Sequence, residues 1–160
     1  MDTPILWAMS EYRAPVRDIK FALDHIVDVA SLAELPAFDH AEPDLVAGLI
    51  DEAARFMNEV VAPTNRVGDA VGSIRNDDGS VTAPAEFTKA YQQYVAAGWG
   101  AIKGEPAFGG HGFPGTVAIA VQEMLTAANM AFSLCPMLTM SSILALQHHG
   151  SAELQATYLE

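Results

Sequence analysis

The sequence has little positive charge and almost no cysteine. It holds 8 Lys and Arg residues against 20 Asp and Glu residues, which gives a formal net charge of −12 at pH 7. That balance argues against a nucleic-acid-binding surface, since such a surface needs clustered basic side chains to displace counterions from phosphate. It argues equally against an anionic membrane surface. The single cysteine, Cys135, excludes an internal disulfide and fits a reducing compartment.

The N-terminus lacks the features of a secretory leader. Asp2 stands where a signal peptide carries positive charge, and the apolar run that follows is too short. We therefore expect a soluble, cytoplasmic protein. The length of 160 residues and the hydrophobic content of 51% allow one domain with its own core.

Charge is missing altogether from one long stretch. No Asp, Glu, Lys or Arg lies between Glu123 and Glu153. That length is enough for a membrane span, which needs about 20 apolar residues. However, polar residues and Pro136 interrupt the stretch, and no basic cluster flanks it. We expect no membrane span, but two helices that are buried on most sides within a larger body.

Hydrophobic periodicity predicts an all-α, up-and-down fold of six helices. The predicted helices cover residues 16–33, 44–61, 84–97, 114–129, 133–149 and 151–160. The predicted buried face of the first consists of Ile19, Leu23, Ile26 and Ala30. That of the second consists of Leu45, Leu49, Ala53, Phe56 and Val60. Pro63 is expected to end the second helix, while Ser133 and Ser151 are expected to cap the last two. Residues 76–79, Asn-Asp-Asp-Gly, predict a short hairpin.

Glycine is concentrated in one segment. Seven of the 12 glycines lie between Gly98 and Gly115, in the sequence GWGAIKGEPAFGGHGFPG. A phosphate-binding Walker loop would end in Gly-Lys-Ser/Thr, but His111 follows Gly110 here. A dinucleotide-binding fingerprint would follow a strand, whereas a predicted helix ends at Gly98. We interpret the segment as a close-packed connection between helices, in which glycine lets one backbone approach another.

Other reactive side chains form no arrangement typical of catalysis. None of the five histidines pairs with a carboxylate at zinc-binding helical spacing, so no metal site is expected. His148 and His149 are interpreted as helix-end residues that interact with the dipole. Cys135 lies among apolar residues without a neighbouring base, which predicts an inert, buried thiol. No Ser-His-Asp arrangement can be assigned from the spacings.

One apolar stripe on the uncharged segment is a candidate ligand surface. Leu134, Met137, Leu138 and Ser141 recur at i, i+3, i+4 and i+7, which is one face of a helix. This face would line an apolar tunnel with Ser133 at its mouth. Ordinary core packing is the commoner origin of such a stripe, so the residues alone leave both interpretations open.

Several motifs in the same order resemble the acyl-CoA dehydrogenase family. Residues 96–99, Ala-Ala-Gly-Trp, and 106–112, PAFGGHG, resemble the helix end, proline and glycine loop of these enzymes. Residues 147–159, QHHGSAELQATYL, are similar to a helix start that ends in Tyr-Leu in the family. Residues 12–19, YRAPVRDI, resemble the N-terminal extension of a subgroup with broad- and long-chain enzymes and methylmercaptopropionyl-CoA dehydrogenases.

The resemblance implies a flavoprotein of fatty acid metabolism that removes two hydrogens from an acyl-CoA. The expected cofactor is FAD, and the expected partners are an acyl-CoA substrate, an electron-transfer acceptor and further copies of the chain. Residues 1–40 would be an N-terminal extension with one helix, and residues 41–160 the N-terminal helical domain of the family. The β-domain, the C-terminal helical domain and the catalytic base would lie beyond Glu160. This chain alone is therefore expected to be inactive and not to hold FAD.

The resemblance also assigns two groups of residues to the substrate side of the domain. The first would contact the acyl tail and consists of Ser133, Leu134, Met137, Leu138 and Ser141. The second would border the acyl and flavin region and consists of Phe108, Gly109, Gly110 and Gly112. No residue of this chain receives a catalytic, metal-binding or direct cofactor-binding role. The alternative is a non-catalytic, stand-alone helical module that binds a partner chain or an apolar ligand.

Overall fold

The computed structural model describes residues 12–159, which form a helical domain with one small hairpin. The α-helices are α1 (Val16–Ala22), α2 (Val29–Ala33), α3 (Pro43–Phe56), α4 (Ala62–Val71), α5 (Ala85–Ala96), α6 (Gly115–Ala128), α7 (Met130–His149) and α8 (Ala152–Tyr158). Single π-helical turns are formed by Leu23–Val27 and Met57–Val61, and 3-10 turns by Trp99–Ala101 and Pro106–Phe108. The antiparallel strands are β1 (Ile74–Arg75) and β2 (Val81–Thr82). The predicted all-α fold and the predicted hairpin are both confirmed.

The core lies between α3 and α6. Helix α6 packs against α3, against the π turn that follows α3, and against α7. The side chains buried from α3 and its π turn include Val46, Ile50, Ala53, Met57 and Val61. Those buried from α6 include Val117, Val121, Met124, Leu125 and Ala128. Because burying a side chain of this kind contributes about 1.5–3 kcal/mol, this interface organises the other helices around it.

The first predicted helix is interrupted near its middle. A π turn follows α1, and Asp28 then adopts a left-handed conformation with φ of 57°. Aspartate tolerates this region because its short polar side chain bonds locally; here Oδ1 accepts from the Ser31 amide at 3.4 Å. The interruption turns α2, so that Val29 is buried while Ile26 is 75% exposed. The prediction of Ile26 and Ala30 on the buried face is therefore wrong.

On the second predicted helix most of the buried residues lie one position C-terminal to the predicted ones. This helix also does not end at Pro63. Apolar residues occur in pairs on this helix, and the second member of the pair faces the core, as with Ile50, while Leu49 is half-buried. Pro63 lies in the first turn of α4, directly after a π turn. At such a change of hydrogen-bond register the missing amide of proline is tolerated, so the helical path continues to Val71.

The C-terminal helices begin and end mostly where the sequence predicts. Helix α5 stops before Gly98, whose φ is 74°, and Ser151 Oγ caps α8 by accepting from the Leu154 amide at 3.3 Å. The start of α7 differs, because Asn129 and not Ser133 is its N-cap. Asn129 Oδ1 accepts from the Phe132 amide at 3.0 Å. The predicted helix at 133–149 is thus three residues longer at its start.

Helix α7 is largely exposed within the described residues. Within residues 12–159 it is the one helix long and apolar enough to cross a membrane by length and composition, with a mean hydropathy of 1.4. A core helix of a soluble protein passes the same test, so this is a weak indication. Of the most apolar 18-residue stretch of α7, only 17% is buried in the described part of the chain. The expectation of burial on most sides fits α6. For α7 it refers to a larger body than residues 12–159, so it stays a prediction.

Candidate functional site

The glycine-rich segment 98–115 connects α5 to α6 and folds back on itself. Its second half pairs with its first half through backbone hydrogen bonds, and three of these join residues eight or more positions apart. The amides of His111, Gly112 and Phe113 donate to the carbonyls of Ala101, Gly104 and Ile102, at 2.9, 3.0 and 2.9 Å. The segment is therefore a compact double-backed loop, which we call the glycine loop. The interpretation of a close-packed helix connection is confirmed.

Two positions in the glycine loop require glycine for steric reasons. A Cβ atom on Gly110 would collide with the carbonyl group of Gly104, because the two backbones touch. Gly112 has a φ of 68°, and a Cβ there would lie 3.2 Å from Pro106 Cγ. These contacts leave no space for a phosphate between the two halves of the loop.

The outer face of the glycine loop borders a cavity of about 220 Å³. The other walls are the second half of α7 and the end of α8. The lining residues from the loop are Gly100, Ala101, Lys103, Gly104, Glu105, Phe108 and Gly110. Those from the helices are Met140, Ile143, Leu144, Gln147, Tyr158 and Leu159. The cavity is thus mainly apolar, with one lysine and one glutamate on the loop side.

The predicted site residues separate into two locations. Phe108 and Gly110 line the cavity, and their placement beside a ligand stays a prediction. The predicted tail-contacting residues lie instead on the open side of α7, where Leu134, Met137, Leu138 and Ser141 form one exposed strip. Ser133 is 2% exposed and its Oγ donates to the Met130 carbonyl at 2.8 Å. Ser133 is therefore buried, and it does not lie at the entrance to a tunnel along that strip.

The cavity residues of α7 continue its buried face. In the first half of α7 that face packs on the domain through Phe132 and Pro136. Met140 and Ile143 follow Pro136 at i+4 and i+7, so they lie on the same side one and two turns later. The predicted tail-contacting residues do not include Met140 and Ile143, because they follow a neighbouring stripe of α7. Extending the spacing from Pro136 would have identified them.

The junction of α7 and α8 is held by one side-chain amide. Gln155 Nε2 donates to the carbonyls of Leu146, Gln147 and Gly150 at 3.1, 3.1 and 3.2 Å. These carbonyls lie at the end of α7 and in the turn that follows it, and the Leu146 carbonyl also accepts from the Gly150 amide at 2.8 Å. The amide therefore fixes α8 against α7 and, with it, the two α8-side residues of the cavity wall.

The aromatic groups near α7 have raised pKa values. Burial, helped by the charges of Tyr91 and Cys135, raises the pKa of Tyr94 to about 12. Burial also raises the pKa of Tyr91, and the neighbouring Cys135 thiol adds to this effect.

Cys135 itself is exposed, so the prediction of a buried thiol is wrong. The residue lies on an exposed flank of α7, beside Tyr91 of α5. In the described residues no group of three or more His, Cys, Asp or Glu side chains is placed to hold a metal ion.

Comparison with known proteins identifies the family. Residues 47–160 match the family described as acyl-CoA dehydrogenase, N-terminal domain. The chain is 37% identical over 149 residues to 3-methylmercaptopropionyl-CoA dehydrogenase of Ruegeria pomeroyi, which covers 93% of this chain and 25% of that protein. It is 29% identical over 124 residues to the broad-specificity linear acyl-CoA dehydrogenase FadE5 of Mycobacterium tuberculosis, covering 77% of this chain and 20% of that one.

The chain therefore spans a quarter or less of the length of these curated relatives. The family match begins within α3 and includes the glycine loop and every wall of the cavity. The resemblance drawn from the glycine loop and from the Tyr-Leu ending of α8 is thereby confirmed. This chain belongs to the acyl-CoA dehydrogenase family and carries its N-terminal helical domain.

Proposed function

We propose that this chain forms the N-terminal part of a flavin-dependent acyl-CoA dehydrogenase, an oxidoreductase that introduces a double bond into an acyl-CoA thioester. The observation that carries the proposal is the mainly apolar cavity between the glycine loop, α7 and α8. Both relatives are named as acyl-CoA dehydrogenases. The proposal extends their reaction to the protein that contains this chain.

The cavity is suited to an apolar tail. Its walls include Phe108, Met140, Ile143 and Leu144, which remove hydrocarbon from water without offering it polar competitors. Lys103 and Glu105 lie on the loop side and mark the polar end. We infer that an acyl tail enters with its methyl end toward α7. The exposed strip of α7, with Leu134 and Leu138, remains a second candidate wall for the same tail.

The described residues do not by themselves fit an FAD molecule. FAD supplies the hydride-accepting chemistry when it is bound. A cavity of about 220 Å³ is smaller than the roughly 300–1,000 Å³ of sites that enclose a small-molecule ligand, and its walls are mainly apolar. No catalytic step is therefore assigned to residues of this chain. The electron-transfer acceptor, a homo-oligomeric assembly and a cytoplasmic location belong to the same proposal and rest on family membership.

The first test is the mass and visible spectrum of the full-length protein purified from its source. We expect a mass well above 17.0 kDa and flavin absorption bands that bleach when an acyl-CoA is added. A colourless protein, or flavin bands that no acyl-CoA bleaches, would contradict the proposal and favour the non-catalytic helical module.

The second test locates the acyl tail. Ile143→Phe narrows the cavity, and Leu138→Phe changes the exposed strip of α7. If the tail lies in the cavity, Ile143→Phe lowers kcat/KM for the longest acyl-CoAs by about tenfold while short acyl-CoAs are unaffected. A length-dependent loss in Leu138→Phe alone assigns the tail to the exposed strip. Ile119→Phe, on the exposed side of α6, is the control.

A further inference from the structure

The described part of the N-terminal extension, residues 12–40, packs on the domain, although the family match does not include it. The match begins at residue 47, whereas Ile19, Leu23 and Val29 of the extension are already buried in the domain core. Lys20 Nζ lies 2.7 Å from Asp51 Oδ1 on α3. The extension is thus held on the domain at several points, and its last residue is His40.

His40 links the extension to the glycine loop. Its Nε2 lies 3.0 Å from the carbonyl oxygen of His111. A carbonyl oxygen only accepts, so Nε2 carries the proton and donates. The His40 ring also meets the Phe113 ring edge to face, with centroids 5.4 Å apart. Ala41, the next residue, is fully buried and fixes the backbone from which the His40 side chain reaches the loop.

The His40 ring packs against the glycine loop at Gly112. A Cβ on Gly112 would lie 3.5 Å from His40 Cε1, so the ring lies close beside Gly112. The amides of His111 and Gly112 are already used to pair the two halves of the loop. Among the side chains that the structure describes, His40 makes the one hydrogen bond that joins the extension to the glycine loop. The opposite half of the loop, with Gly104 and Phe108, borders the cavity.

We propose that the N-terminal extension braces the glycine loop through His40 and so fixes the loop-side wall of the acyl cavity. His40 is a positioning residue in this proposal, since it acts through the loop and lies outside the cavity lining. The brace itself depends only on contacts within this chain. Its effect on acyl binding rests on the proposed function.

The test uses three variants in the full-length protein. His40→Ala removes the brace, and His40→Gln keeps an amide N–H at the position of Nε2. His25→Ala is the matched control, because His25 also lies on the extension and also meets a phenylalanine ring edge to face, at 4.8 Å from Phe21. The first readout is hydrogen exchange at the amides of His111, Gly112 and Phe113. The second is KM and kcat for a series of acyl-CoAs of increasing length.

We expect His40→Ala to speed exchange at the three loop amides by about threefold to tenfold, the range for losing one such hydrogen bond. His40→Gln should restore protection, and His25→Ala should leave it unchanged. Unchanged exchange in His40→Ala overturns the inference. A faster exchange with a higher KM for long acyl-CoAs and an unaltered kcat supports both the brace and the acyl cavity. A faster exchange with no change in KM supports the brace and counts against the proposed acyl cavity.

Discussion

Asn129 and Thr64 form a buried hydrogen bond across the domain, with 2.9 Å between Asn129 Nδ2 and Thr64 Oγ1. The two residues are 1% and 5% exposed and lie 65 positions apart. Thr64 Oγ1 donates in turn to the Val61 carbonyl at 2.6 Å, just after the π turn. Asn129 also caps α7. One amide therefore ties the start of α7 to the α3–α4 helical path.

Replacing Asn129 by alanine should lower the free energy of unfolding by about 2–3 kcal/mol. The change removes a helix cap and leaves the Thr64 hydroxyl with one fewer buried partner. Urea denaturation measures the loss. Asn76→Ala is the control, because the Asn76 amide bonds only within the exposed hairpin, to Ser80 and Thr82. Its effect should be about 0.5 kcal/mol or less, and equal losses in the two variants would refute the role assigned to Asn129.

Gly110→Ala should destabilise the domain by about 2 kcal/mol or more. A methyl group there meets the Gly104 backbone, which has no flexible end to move aside, so the two halves of the loop must separate. Thermal unfolding of Gly110→Ala and of a control variant measures the difference in stability. Gly48→Ala is the matched change in open space, since a Cβ on Gly48 meets nothing within 4 Å. It should stabilise α3 by about 0.5–1 kcal/mol. A neutral Gly110→Ala would mean that the loop is not close-packed in solution.

Stability should fall between about pH 10 and pH 12 because of Tyr94. Burial raises its pKa to about 12, whereas the unfolded chain releases this proton near pH 10. In that window the unfolded state binds fewer protons than the folded state, so the free energy of unfolding decreases as pH rises, by roughly 1.4 kcal/mol per unit. Denaturation at a series of pH values measures this slope. Tyr94→Phe should make the slope shallower, and an unaltered slope would show that Tyr94 ionises normally.

Gln155→Glu should loosen α8. A carboxylate in place of the amide would face the carbonyls of Leu146, Gln147 and Gly150, which it cannot bond. We expect limited proteolysis near residues 150–151 to become several-fold faster, while the helical core stays folded. Gln93→Glu is the control, because Gln93 is exposed and its amide makes one 3.5 Å contact within α5. Equal cleavage rates in both variants would contradict the clamp.

Most element boundaries could be predicted from local signals. The turn at residues 76–79, Gly98 after α5 and Ser151 before α8 each act through their own backbone geometry, so the sequence is sufficient to place them. The glycine loop was interpretable for the same reason, since glycine density indicates close backbone contact. The faces of α2 and α3 were harder to predict. At α2 a π turn and a left-handed Asp28 shift the buried side, and neither has a distinctive residue pattern. On α3 apolar residues occur in adjacent pairs, so periodicity does not say which member of each pair faces the core.

The cavity could be predicted only in part. Phe108 and Gly110 were identified because the loop motif marks them. Met140 and Ile143 were missed because two apolar stripes run along α7, and periodicity does not say which one meets the loop. That choice depends on tertiary contacts of α7, among them the hydrogen bond between Asn129 and Thr64 and the buried side chains of Phe132 and Pro136. Contacts between residues so distant in the chain are not encoded in local spacing.

The exposed position of Cys135 makes the protein convenient to study by fluorescence. It is the only thiol among the 160 residues, so in a protein of this 160-residue sequence an environment-sensitive dye coupled through maleimide attaches at one defined place without any substitution. That place is an exposed flank of α7, beside Tyr91 of α5 and next to Leu134 in the chain. Whatever comes to cover this side of the helix, whether lipid tail or polypeptide, will change the emission of the dye and report its arrival in real time.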